Sequence, residues 1–236
     1  MPDNFITRDA AEKDMLMAAA FIGERIKSND GHAEAMIAIV PMLLERSEVD
    51  LAAEMSNAVD DPYSRDGLLA LVAEKCAEIS DDEYALQLVE AIEDHGMQGR
   101  AMERVAMAKV AAGEIETAIE LADAITHPDT VLAAAAAASA SAGETERADA
   151  VINGIDFPAA QANACIAIAS AHIAKGDKAG ASAYLDRAVD HAASIEHDEE
   201  RLRTLCEAGS QFVAAGRNDR AVETFSLAQD QAVTIS

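Results

Sequence analysis

The chain reads as all-α: an α-α superhelix in which about six antiparallel helix pairs stack into a right-handed solenoid behind an N-terminal capping helix. Three observations predict it. A small turn residue recurs at Ser47, Ser80, Gly113, Gly143, Gly176 and Gly216, at intervals of 33, 33, 30, 33 and 40 residues, a period typical of stacked repeats. An alanine follows each turn by five positions, at Ala52, Ala85, Ala118, Ala148, Ala181 and Ala221. Ala, the best helix former, fills about a quarter of the chain, while aromatic residues make up only 3% and Trp is absent.

Taken in order, residues 8–27 carry a first helical pattern, closed by Ser-Asn-Asp-Gly at 28–31 and serving as a cap. Residues 32–236 then hold the repeats, pairing 32–46 with 48–60, 63–79 with 81–93, and 97–112 with 114–126. The remaining pairs are 128–142 with 144–154, 158–175 with 177–195, and 198–215 with 217–234. Around Gly113 the logic is plain. Met102, Val105, Ala106 and Val110 recur at helical spacing before the turn, and Ala118, Leu121, Ala122 and Ile125 after it. Gly ends a helix in the left-handed region, and the acids that follow suit the next N-terminus. Pro62, Pro128 and Pro158 each fall fifteen residues after a turn residue, where proline ends one helix and opens the next. Pro41, inside the first repeat helix, predicts a kink or a break. The 40-residue last interval predicts about two extra helical turns, shared between facing long helices.

The small residues have a direct physical use. Where two helices cross closely only a Cβ or a hydrogen fits between the backbones, and Ala at a fixed offset marks that crossing. One pair cannot bury its apolar stripe alone, so neighbours stack and leave a concave face.

Composition narrows the function classes. The net charge is −25, with 43 acids against 18 Lys and Arg. Such a surface repels phosphates and anionic lipids, so nucleic acid and membrane are not expected partners. The acids are spread along the whole chain, which favours the halophilic reading, a carboxylate surface adapted to molar salt, over a dedicated face for a basic partner. No run reaches the eighteen apolar residues of a membrane span, and the N-terminal segment carries acids where a signal peptide needs basic residues. A soluble, cytoplasmic protein is expected. Cys76, Cys165 and Cys206 are odd in number and widely spaced, the pattern of reduced, buried thiols rather than of a disulfide framework or a zinc site.

The C-terminal unit resembles the tetratricopeptide repeat. Gly209 and Phe212 precede Gly216 by seven and four residues, and Ala221, Phe225 and Ala228 follow by five, nine and twelve. The unit around Gly176 is similar, through Ala169, Ala181, Leu185 and Ala188. The middle units keep the turn and its alanine but replace the aromatic positions, as at Ala122 and Ile152. HEAT-like repeats are the alternative, with overlapping spacing. The resemblance implies that residues thirteen, ten, six, three and two before each turn line the concave surface. It points to Arg100, Glu103, Arg104, Met107, Asn163, Ile166, Ser170, Arg203 and Ser210 as partner-binding residues. The two-Lys, two-Asn clamp of chaperone-binding relatives is not reproduced, so an amphipathic helical segment suits this floor better than an acidic tail.

Catalytic chemistry is not expected. There is no phosphate loop, no HExxH and no nucleophile elbow. His95 and His127 take nearly equivalent places between units, as loop positions in a repeat do, and His191 and His197 do not share a helical face. Paired acids such as Asp60–Asp61, Asp81–Asp82 and Glu199–Glu200 fall at turns and helix starts, where they cap. The expected function is a non-catalytic scaffold or adaptor for a protein or peptide, without metal or cofactor. The alternative is a self-assembling repeat protein that dimerises through a terminal helix, since the last one carries Val222, Phe225, Leu227 and Val233.

Overall fold

The computed structural model of the chain describes residues 5–234, the last two by backbone alone, so the Val233 side chain lies outside the described residues. Among the described residues every regular element is a helix: α1 Arg8–Ala11, α2 Met15–Gly23, α3 Asn29–Glu45, α4 Val49–Asn57, α5 Pro62–Glu78, α6 Asp82–Glu90 and α7 His95–Ala112. Then follow α8 Ile115–Ala122, α9 Asp129–Ser141, α10 Thr145–Asn153, α11 Pro158–Ala174, α12 Lys178–Ala192, α13 Asp198–Ala214 and α14 Asn218–Thr234. They form two compact units. Unit 1 is Met1–Ala112 with Ala124–Thr126; unit 2 is Gly113–Asp123 with His127–Ser236.

Within unit 1, α3 packs on α4 and α5, α5 on α6 and α7, and α4 and α6 each on the following long helix. Unit 2 repeats the scheme: α9 meets α8, α10 and α11, while α11 meets α12 and α13, and α13 meets α14. Consecutive helices therefore pack, and so do successive first helices of the pairs.

The turns explain why. Among the described residues, positive φ occurs only at Ser47, Ser80, Gly113, Gly143, Gly176 and Gly216, the six turn residues. Paired hydrogen bonds close the preceding helix in the Schellman pattern: Glu48 N–H donates to Leu43 C=O at 3.0 Å and Ser47 N–H to Leu44 C=O at 3.0 Å. The same pairs recur at Ser80, Gly143, Gly176 and Gly216. Ser47 occupies a left-handed backbone, φ 61°, that costs an L-residue about 1 kcal/mol and glycine almost nothing. Ser47→Gly is thus expected to stabilise unit 1 by about 1 kcal/mol in denaturant unfolding.

Every alanine five past a turn is buried: Ala52, Ala85, Ala118, Ala148 and Ala181 are fully enclosed and Ala221 nearly so. Pro62 and Pro158 take the first turns of α5 and α11, and Pro128 caps α9. The helix pairs thus begin and end within a few residues of the sequence expectation.

Four features differ from that expectation. Residues 8–27 form two helices instead of one, because Asp14 starts α2 afresh: its Oδ1 accepts from Leu16 N at 2.8 Å and Met17 N at 3.2 Å. Arg46 Nη1 adds a 2.6 Å bond to Asp14 Oδ2 and, with those amides, holds the carboxyl below its ordinary range. Ser28 caps α3, so 29–31 belong to that helix rather than to a closing loop. Of the kink or break expected at Pro41, the break is absent: α3 runs on from Asn29 to Glu45. Met36, Ile39 and Val40 before it and Leu43 and Leu44 after it are all buried, so core packing on both sides outweighs the lost backbone bond. Last, the long interval is not shared. The extra length lies in α12, 15 residues against 9 in α10, while α11 and α13 both have 17.

The short second helices α4, α6, α8 and α10 are 9, 9, 8 and 9 residues long. Helices below about 12 residues are marginal alone, so these persist through their buried faces. Among the described residues no helix is long and apolar enough to cross a membrane.

Candidate interaction surface

In unit 1, α5 and α7 border an open depression of ≈ 520 Å³. It is lined by Met107, Ala108, Ala111 and Ala112 together with Glu74, Glu78, Glu103 and Arg104; Ala111 and Ala112 are exposed, and Glu74 and Glu103 half-buried. On α7, residues 103, 107 and 111 recur every four positions, so one helix face supplies both charged and apolar lining. Arg104 and Glu74 form an ion pair across the hollow, and Lys75 Nζ lies 2.8 Å from Glu78 Oε2. Glu103, Arg104 and Met107 all line this hollow. Arg100 is exposed but outside the hollow, with its Nε donating to the Gly96 carbonyl at 3.2 Å. Glu74 and Glu78 stand six and two before Ser80, the same offsets that pick out lining residues at the central turns.

A second buried device positions α7. Asp66 of α5 is 1% exposed, and its Oδ2 accepts from Glu93 N at 3.1 Å and Asp94 N at 2.9 Å. Asp94 Oδ1 in turn accepts from Met97 N at 2.8 Å in the first turn of α7. Further along, the fully buried Lys109 pairs with Asp82 of α6.

The unit 2 residues are not gathered into one hollow. Asn163 is exposed, Ser170 half-buried, and Ile166 is buried in the core of α11. Arg203 borders a shallow acidic hollow at the start of α13 with His197, Asp198, Glu199 and Glu200, and its Nη2 stands 3.7 Å from Glu200 Oε1. Ser210 is exposed and turns its Oγ back to the Cys206 carbonyl at 2.9 Å.

The remaining arginines of this unit go largely to binding one second helix to the next. Glu116 of α8 pairs with Arg147 of α10, and Asp149 of α10 with Arg187 of α12. Asp186 of α12 accepts from Arg220 of α14, Nε at 2.9 Å and Nη2 at 2.6 Å. Tyr184 OH donates to Asp149 at 3.3 Å, and Arg217 Nη1 to Ser182 Oγ at 2.8 Å. Exposed pairs of this kind contribute about 0–1 kcal/mol each, so the ladder sets register more than stability.

The titratable groups are tuned by burial and capping. Desolvation pushes the Cys76 and Cys165 thiols up to about 11, which keeps them protonated and unreactive near neutrality. Asp177 caps α12, and bonds from Gly180 N–H and His172 hold its carboxyl below the usual range. The His172 ring stacks on Tyr184 at 5.7 Å, so it closes a turn. Burial lowers the His191 pKa. Cys206 is exposed, unlike the buried thiol expected. Among the described residues no group of three His, Cys, Asp or Glu is placed to hold a metal ion.

Together these features define an all-α protein of consecutively packed helices with a repeated turn. The chain matches no known family model and no curated protein.

Proposed function

We propose that the protein is a non-catalytic scaffold, a right-handed solenoid of tetratricopeptide-like pairs that holds an amphipathic helical segment of a partner. The observation that carries this reading is the α5/α7 depression, whose lining combines the apolar Met107, Ala108, Ala111 and Ala112 with the charged Glu74, Glu78, Glu103 and Arg104. A helix laid in such a groove buries its apolar face on the apolar lining and directs its polar face outward. Glu103 and Glu78 favour Lys or Arg beside that apolar stripe. The tetratricopeptide likeness is best supported in the last two pairs. There the second helices lengthen to 15 and 17 residues; the small positions match in both pairs and the aromatic ones, Phe212 and Phe225, in the last.

Selection of displayed amphipathic helical peptides on the full chain in molar KCl tests the reading. Met107→Lys is expected to weaken the selected peptides at least tenfold, about 1.4 kcal/mol, while Asn163→Ala leaves them unchanged. Peptides indifferent to Met107→Lys would place binding elsewhere.

A further inference from the structure

The charges lining the α5/α7 hollow are not alike. Two of its three carboxylates are matched within the molecule: Glu74 pairs with Arg104 of α7, and Glu78 with Lys75 on its own helix. Glu103 differs. It is half-buried in the lining, and among the described residues it has neither a hydrogen bond nor an ion pair. Arg100, three residues before it, turns its Nε to the Gly96 carbonyl at 3.2 Å instead. A carboxylate that has lost part of its hydration without gaining a partner is completed by a cation brought against it.

Helix α7 fixes where that charge lies relative to the apolar lining. Glu103, Met107 and Ala111 follow one another at four-residue spacing on one face, with Ala108 and Ala112 beside the last two. The face therefore runs from a single unmatched acid through about two turns of apolar side chains, about 12 Å from residue 103 to residue 111.

These features select among occupants. An acid of the partner set over Glu103 meets like charge, and to reach Arg104 it would have to displace Glu74. A wholly apolar segment covers Glu103 and leaves it unmatched, at the desolvation cost of a buried charge. A segment with one Lys or Arg beside a short apolar stripe meets both parts of the lining. The net charge of −25 draws such a segment in from longer range.

We infer that Glu103 is the specificity-determining residue of this groove, and that the occupant is an amphipathic helix with a Lys or Arg one turn from the apolar side chain that rests on Met107. The inference rests on the groove being the binding surface, and adds which partner residue is read and by which side chain.

The probe is the set of peptides selected on the full chain in molar KCl and weakened by Met107→Lys. They are expected to share a Lys or Arg three or four residues from an apolar residue. Replacing that base by Gln is expected to weaken binding to the natural chain roughly fivefold and binding to Glu103→Gln not at all, the mark of a direct pair in a double-mutant cycle. The coupling is expected to grow as KCl is lowered over the range in which helicity holds. Glu78→Gln, whose carboxylate Lys75 already engages, is expected to leave it unchanged. A repeat selection on Glu103→Arg is expected to return Glu or Asp at the same position, which a purely structural role for Glu103 would not produce. If no selected peptide responds to Met107→Lys, the groove reading falls and this inference with it. Peptides that respond to Met107→Lys yet lack the basic residue, or lose as much on its replacement against Glu103→Gln as against the natural chain, leave the groove standing and overturn the role of Glu103.

Discussion

Asp66→Ala is expected to destabilise unit 1 by about 3 kcal/mol, the sum of two charge-assisted hydrogen bonds lost from a buried acceptor. The Asp66 carboxylate accepts from the backbone amides of both Glu93 and Asp94. Those amides belong to the bend that aims α7. Without the carboxylate they face the space the carboxyl group filled, and the Asp94 cap on Met97 loses its anchor. Asp66→Asn keeps one carbonyl acceptor and is expected to lose about half as much. Thermal unfolding measures the change, and hydrogen exchange localises it to the amides of residues 93–97. Equal stability of Asp66→Ala and the natural chain would remove Asp66 as the link between α5 and α7.

Ala181→Leu is expected to cost unit 2 about 2 kcal/mol, the usual penalty for forcing methylenes into a packed crossing. Ala181 is fully buried where α12 crosses α11. Ala183, two residues on and exposed, provides the comparison. Ala183→Leu adds the same carbon atoms to the same helix and is expected to change the denaturant midpoint very little. If both replacements behaved alike, the alanine rhythm would reflect helix propensity and not close approach.

The contrast between those two predictions shows what was legible. The alanine at the fifth position after each turn was visible as spacing, and all six are buried. The turn residues were visible too, and they alone among the described residues adopt positive φ. Asp66 gave no such signal. It sits near the start of a helical pattern beside Arg65 and Gly67, and only the return of residues 93 and 94 to α5 makes it a cap. Lys109 is similar: a lysine on an amphipathic helix reads as solvent-facing, yet it is fully enclosed beside Asp82.

The candidate surface divides in the same way. The offset rule placed Glu103 and Met107 beside the hollow, and applied to Ser80 it also yields Glu74 and Glu78. It names Ile166 in the other unit as well, but that residue is buried in α11. Offsets along a helix specify a direction from the axis and say nothing of how close the neighbouring helix comes.

By itself, then, the sequence determined the local alternation of helix and turn, because turn backbones, caps and small residues depend on interactions within a few positions. Tertiary structure decided the rest. It carried α3 through Pro41 by burial on both sides, and it split the first helix at Asp14 with the help of Arg46. It also left Val222 and Phe225 exposed at register positions that the earlier pairs bury or half-bury. Those outcomes depend on contacts between residues far apart in the chain, which a periodic pattern does not encode.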